Sequence, residues 1–481
     1  MKAQLPLEVR GSKLFKDDGT YDEKEAAAFL KAYWQRQPVL LRQALNFESP
    51  ITPDELAGLS LEEEVASRVI INWAALGDMD PALRPPNKND FELLRGPFSQ
   101  DTFTSGEIPE TCYTLLCNNV ASFLPQLARL AERFNFVPNW RHEDIMISYA
   151  AKGGGVGPHV DNYDVFLLQG QGTRQWSVSA TPIPADKEEL VEGIDVRVLK
   201  GGFEPEATWL LQPGDMLYVP PRCPHWGVAM DDECMTFSVG FRAPNLQDMA
   251  SEFANHMCDS RSPDDFYTDP ALTPQVGDAG RISEEAVASM WRDVAATILG
   301  YNHTHMHTAS AAALLSTPSP AFRMWVGGFL TQNLRRAAAA ENARATDPTE
   351  AQRILTDVVG GGDPPVTLLR NEDCKVAWLT TEDGLAVAAD GQVWKVAHGA
   401  SSEGVMQRHV AVLCSSHALQ PEALLPLLAP TSLFRPIVQE WLEKGILYCP
   451  TEEDEELVMT WEGEAEEEQE EDDQPRGTRL K

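Results

Sequence analysis

The residues able to do chemistry in this 481-residue chain are gathered in one stretch, residues 153–176, GGGVGPHVDNYDVFLLQGQGTRQW. His159 and Asp161 stand two apart, a spacing that on a β-strand turns both side chains to one face. One imidazole and one carboxylate make two-thirds of a metal site. A second imidazole follows 64 residues after Asp161, at His225 in LQPGDMLYVPPRCPHWG. Two histidines and a carboxylate on one face of an octahedral ion leave the opposite positions open, the facial set of non-haem Fe(II) oxygenases. An H-x-D pair alone also arises by chance, so its surroundings matter.

Those surroundings have the pattern of a double-stranded β-helix. The run GGGVG lets the backbone turn sharply ahead of His159, and VFLLQ is a short apolar run bounded by turn signals, as a buried strand should be. Pro213-Gly214-Asp215 predicts a turn and residues 216–219 a strand, after which Pro220, Pro221 and Pro224 stiffen the approach to His225. Earlier, residues 22–37 predict a helix with Phe29, Leu30, Tyr33 and Trp34 on one face, and residues 51–66 a helix pair opened by Thr52-Pro53-Asp54-Glu55. Strands are expected at 69–73, 91–98, 112–120 and 145–150, with a helix at 123–134. Cys112 and Cys117 read as apolar core.

With the segments FSVGFRAP (237–244) and FLKAYWQRQPVLLRQAL (29–45), these motifs resemble the JmjC-type ribosomal oxygenases, above all their bacterial arginine-hydroxylase branch. The likeness is good over most of the first 245 residues and weaker beyond. It implies an α+β chain: a JmjC/cupin jelly roll with N-terminal helices at 1–245, a helical dimerisation module at 246–345 and a winged-helix domain at 346–450; the acidic tail at 451–481, read as disordered from its composition, departs from the bacterial pattern. It also implies Fe(II), 2-oxoglutarate and O2 as cofactor and co-substrates, with His159, Asp161 and His225 as metal ligands and catalytic centre. Arg174 would pair with the far carboxylate of 2-oxoglutarate, a task suited to a guanidinium, and Ser148 and Ser238 would hydrogen-bond to it. Tyr163 shares the His159 and Asp161 face if the strand runs on unbroken, which makes it the substrate contact. For Asp164 a structural role is expected.

The reaction implied is hydroxylation of the β-carbon of an arginine in a large-subunit ribosomal protein. Three alternatives stay open: a histidine hydroxylase of the same family, a methyl-lysine demethylase, and a non-catalytic metal-binding cupin scaffold. Arg rather than Lys at 174 and the GGGVGPH lead-in favour the arginine branch.

Bulk composition agrees with a basic protein partner. The formal charge is −34, and 14 of the Asp/Glu residues lie in residues 452–473. Such a surface repels a phosphate backbone, so direct nucleic-acid binding is not expected, whereas a basic protein would be steered towards it. Solubility alone is an equally good reason for the charge. The eight cysteines form no paired C-x-x-C framework, which argues for a reducing compartment. No apolar run approaches a membrane span, and a cytoplasmic homodimer is the expectation.

Beyond 245, helices are expected at 246–257, 283–299 and 320–340, the second with Met290, Trp291, Val294 and Ile298 on one face. The alternating His303, His305 and His307 read as a polar loop, with a metal cluster as the lesser alternative. In the last domain, 353–359 reads as a short helix or strand, the stretch 374–397 as hairpin strands turning at Asp383-Gly384 and Asp390-Gly391, and residues 421–428 and 433–444 as helices. The tail after Thr451 has too few apolar residues to fold.

Overall fold

The structure, a computed structural model, describes residues 7–16, 18–79, 89–262, 264, 266, 284–300, 318–332, 344–361, 365–397 and 403–451. The histidines at 303–307, the end of the helix expected at 320–340 and the acidic tail lie outside them. The chain divides into two compact units, residues 1–243 with 450–481, and residues 244–449.

Among the described residues the first unit holds twelve strands: β1 (Glu8–Arg10), β2 (Val39–Arg42), β3 (Ser67–Asn72), β4 (Phe91–Arg95), β5 (Tyr113–Cys117), β6 (His142–Ala150), β7 (Asp164–Gln171), β8 (Arg174–Val178), β9 (Ala207–Leu211), β10 (Met216–Val219), β11 (His225–Ala229) and β12 (Cys234–Phe241). They form a large sheet in the order β1-β2-β10-β7-β12-β6-β5-β3-β4 and a small one in the order β11-β8-β9. Strand β7 shows why the two sheets enclose a core. Its residues 164–169 are all buried, so both faces must be covered, and alternation divides them. Phe166 and Leu168 join Phe29, Phe134 and Tyr218 on the helix-covered side. Val165 and Leu167 join Trp176, Val178, Leu211 and Val219 in the barrel interior.

The first helix is shorter than expected, Glu23–Ala32, capped by Asp22. It stops because Gln35 is left-handed at φ 53°, with its amide donating to the Tyr218 hydroxyl at 2.8 Å. That hydroxyl donates in turn to Asp164 at 2.6 Å. Asp164 also accepts from Gln35 Nε2 at 3.1 Å and Arg141 Nη2 at 3.2 Å, so a fully buried carboxylate has several donors, as burial demands. The predicted structural role of Asp164 matches this network. The helix pair expected at 51–66 is a single helix, Pro53–Leu59, whose Thr52–Glu55 capping box satisfies the N-terminal amides.

In the second unit, helices Leu246–Asp259, Glu284–Leu299 and Pro320–Thr331 precede a helix at Pro348–Gly360. The last settles the helix-or-strand ambiguity at 353–359 in favour of helix: Asp347 caps it, and Ala351, Ile354, Leu355 and Val358 bury one face. Strands Val376–Thr381, Gly384–Ala389 and Gln392–Ala397 form a meander. Its second turn places Asp390 and Gly391 at φ 47° and 78°, as a tight hairpin requires. Helices Glu403–Ser415, Pro421–Leu428 and Arg435–Glu443 complete a core that contains Trp441 and Phe434. Among the described residues no helix is long and apolar enough to cross a membrane.

Candidate metal centre

The H-x-D pair lies just ahead of β7 rather than on it. His159 forms a backbone bridge to His225, each amide donating to the other's carbonyl at 3.0 Å, which sets the two imidazoles side by side with ring centres 4.1 Å apart. The Nδ1 of His159 lies 2.9 Å from the Gly157 carbonyl and the Nδ1 of His225 lies 3.0 Å from the Cys223 carbonyl. A carbonyl only accepts, so each Nδ1 carries a proton and each Nε2 is the nitrogen offered to the site. Asp161 Oδ2 lies 3.4 Å from the Nε2 of His225 and 4.0 Å from that of His159. One ligand atom from each of the three residues falls within 4.8 Å of the others.

Electrostatics suit a cation here. Burial, followed by the neighbouring His225, pushes His159 down to about 4, so its imidazole is neutral at ordinary pH. Burial pushes Asp161 upward, but the neighbouring His225 and His159 and the hydrogen bond from Tyr163 outweigh it, and the carboxyl sits below its usual range. A neutral imidazole at His159 and an ionised carboxylate at Asp161 are the protonation states a divalent ion requires.

The strand argument for Asp161 fails, because regular pairing begins only at Asp164. Its place is held instead by Arg222, left-handed at φ 71°, whose amide donates to the Asp161 carbonyl at 2.7 Å. The Arg222 side chain donates to Asn162 at 3.0 Å and to Glu188 at 2.7 Å, and Arg197 pairs with the same Glu188. Arg222 and Glu188 carry no motif, and sequence reasoning missed both.

The unbroken strand assumed for Tyr163 is absent too, yet its hydroxyl still reaches Asp161, whose charge holds the phenol well above its ordinary value. Asp144, a third residue that the sequence did not single out, lies close to Tyr163. A Cβ placed at Gly240 would be 3.5 Å from Asp144 Oδ1 and 3.8 Å from the Tyr163 ring.

Deeper in the barrel, Arg174 on β8 is 3% exposed. Its Nε donates to Cys234 Sγ at 3.2 Å and its Nη1 to Ser148 Oγ at 3.4 Å. Its Nη2 is buried with no partner, and among the described residues no carboxylate pairs with it. A buried guanidinium held only by neutral groups is costly unless an anion completes it. The anion that fits is a carboxylate, which matches the guanidinium fork. Ser148 is thus brought to the Arg174 guanidinium. Ser238 lies on the interior face of β12 opposite Leu167 and shares no hydrogen bond with Arg174.

Comparison with known proteins decides what kind of barrel this is: the JmjC domain family matches residues 129–249. This part of the chain is a JmjC domain. It is 35% identical over 258 residues to the ribosomal protein uL16 3-hydroxylase of Escherichia coli, covering 53% of this chain and 63% of that relative, so the match spans just under two-thirds of the relative's length. It is 29% identical over 369 residues to a probable ribosomal oxygenase of Haemophilus influenzae, covering 76% of this chain and 80% of the other. The crystal structure of E. coli YcfD superposes with a TM-score of 0.67 at 29% identity, covering 88% of this chain and 98% of YcfD. A second structure of YcfD, a ribosomal oxygenase, in complex with cobalt and 2-oxoglutarate, gives a TM-score of 0.64 over the same shares. The JmjC cupin fold and the α+β content expected from the sequence are borne out.

Proposed function

We propose that this JmjC protein is an Fe(II)- and 2-oxoglutarate-dependent oxygenase that hydroxylates the β-carbon of an arginine in a large-subunit ribosomal protein, with uL16 the substrate suggested by its E. coli relative. The observation that carries the reading is Arg174: an unpaired buried cation in the same barrel as three converging metal-type donors. A scaffold whose metal only stabilised the barrel has no use for such a cation. His159, Asp161 and His225 would hold the iron, and Arg174, with Ser148 hydrogen-bonded to it, the far carboxylate of 2-oxoglutarate. Iron, 2-oxoglutarate and O2 together supply the oxidising power, with succinate and CO2 formed as one oxygen atom enters a C–H bond. The protein's own work is to bind, to orient and to exclude water.

Arginine is favoured over histidine by the pair at the Gly240 gap. Asp144 supplies a carboxylate beside Tyr163, whose phenol reaches the metal ligand Asp161, and a guanidinium is the side chain that matches them. Tyr163 then has two tasks, steadying Asp161 and meeting the substrate. The net charge of −34 would draw a basic ribosomal protein to the enzyme in the cytoplasm, without direct binding of nucleic acid. Incubating uL16 with the protein, Fe(II), ascorbate and 2-oxoglutarate should add one oxygen to an arginine, located by tandem mass spectrometry. Oxygen on a histidine moves the protein to the sister branch, and no gain on any peptide, with no substrate-dependent succinate, leaves the scaffold.

In the second unit the first helices would pair two copies of the chain, with a winged-helix-like domain following them in sequence. On the helix Glu284–Leu299, Val287, Met290, Trp291, Val294 and Ile298 form one apolar stripe, each at least 42% exposed, an arrangement that suits a helix awaiting a partner. A Trp291→Asp variant should sediment as a monomer at concentrations where the unaltered chain is dimeric; a variant that stays dimeric removes this helix from the interface.

A further inference from the structure

Along β8, Arg174, Trp176 and Val178 alternate into the barrel, opposite Ala229, Gly227 and His225 of β11. The Trp176 indole therefore lies between the co-substrate cation and the metal centre. Its ring is 5.8 Å from the Arg174 guanidinium carbon, and its centre is 5.7 Å from that of the His225 ring. Gly227 gives it room, since a Cβ there would approach the indole to 2.8 Å. Trp176 is 4% exposed, and its Nε1, like Arg174 Nη2, is buried with no partner. An indole N–H can only donate, and leaving it dry and unpaired is unfavourable.

We propose that the Trp176 N–H is a further donor, beside Arg174 and Ser148, for the distal carboxylate of the co-substrate. This rests on the reading of the barrel as a 2-oxoglutarate site. A carboxylate offers about four acceptor positions, of which the Arg174 fork fills two at most and Ser148 one. The 2-oxo acid end belongs to the metal centre. Two unpaired buried donors two residues apart on one strand face, both short of an acceptor, are completed together by the same carboxylate.

The test is binding without turnover. Trp176→Phe keeps an aromatic ring over Gly227 and removes the N–H. Calorimetry on the Mn(II)-loaded, oxygen-free protein would compare 2-oxoglutarate with 2-oxobutanoate, which keeps the 2-oxo acid end and lacks the distal carboxylate. The variant should bind 2-oxoglutarate more weakly by on the order of tenfold, the worth of one charge-assisted hydrogen bond, and should bind 2-oxobutanoate as the unaltered protein does. Equal weakening for both ligands, as a merely structural tryptophan would give, overturns the proposal; so does an unchanged 2-oxoglutarate affinity. Arg174→Met run in parallel separates the two levels. If it too leaves 2-oxoglutarate binding intact, the site reading fails; if it weakens binding while Trp176→Phe does not, only the role of Trp176 is lost.

Discussion

Replacing Asp161 by alanine should abolish metal-dependent turnover while leaving the fold in place. The two expectations have separate causes. The carboxylate is the only anionic member of the three-residue set, so its loss leaves two imidazoles facing a divalent ion with nothing to offset its charge. Loss of a hydrogen-bonding neighbour of a ligand costs about 10–100-fold in metal affinity, and loss of a ligand should cost at least as much. The loop, in contrast, is held through the Asp161 carbonyl and the amide of Arg222, which the substitution does not touch. Calorimetric titration with Mn(II), beside circular dichroism of the apoprotein, checks both. A variant that binds the ion like the unaltered chain and still turns over would refute the triad.

The second large effect joins function to stability with opposite signs. Arg174→Met keeps length and apolar bulk and removes a buried charge that no carboxylate of the described chain offsets. Because an unpaired buried cation is unfavourable, the apoprotein should melt at the same temperature as the unaltered chain or higher. Affinity for 2-oxoglutarate should fall by about 30-fold or more, since truncating one partner of a buried charge pair costs roughly 2–5 kcal/mol. The thermal shift that 2-oxoglutarate gives the unaltered protein should vanish with it. Thermal melts with and without the ligand measure all three. If Arg174 were a structural cation, the variant would instead lose apo stability and keep its ligand response.

How much of this was legible in the sequence follows from what each residue type can signal. His159, Asp161 and His225 were legible because imidazole and carboxylate at short spacing beside a glycine-rich turn belong to a small set of chemistries. Arg174 was legible only through the resemblance, since a lone arginine on a strand has no signature. The geometry given for Asp161 was wrong, because alternation applies only within regular pairing, and the chain enters β7 at Asp164. What holds Asp161 comes from Arg222 and, through it, Glu188, residues distant in sequence whose types suggest only surface charge. Cys234 was equally silent, although its sulfur receives the Arg174 Nε–H. At the level of elements, the 22–37 helix was drawn too long because a hydroxyl 183 residues beyond Gln35 captures the amide of that residue, a tertiary contact that local propensity does not contain.

The most direct measurement is the stoichiometry of a single reaction: 2-oxoglutarate consumed, succinate released and oxygen gained by uL16, run under isotopically labelled O2. The account predicts one succinate for each labelled oxygen found on an arginine, and neither product with the Asp161→Ala protein. Unlabelled oxygen in the product, or modification of uL16 that proceeds without succinate, would contradict it.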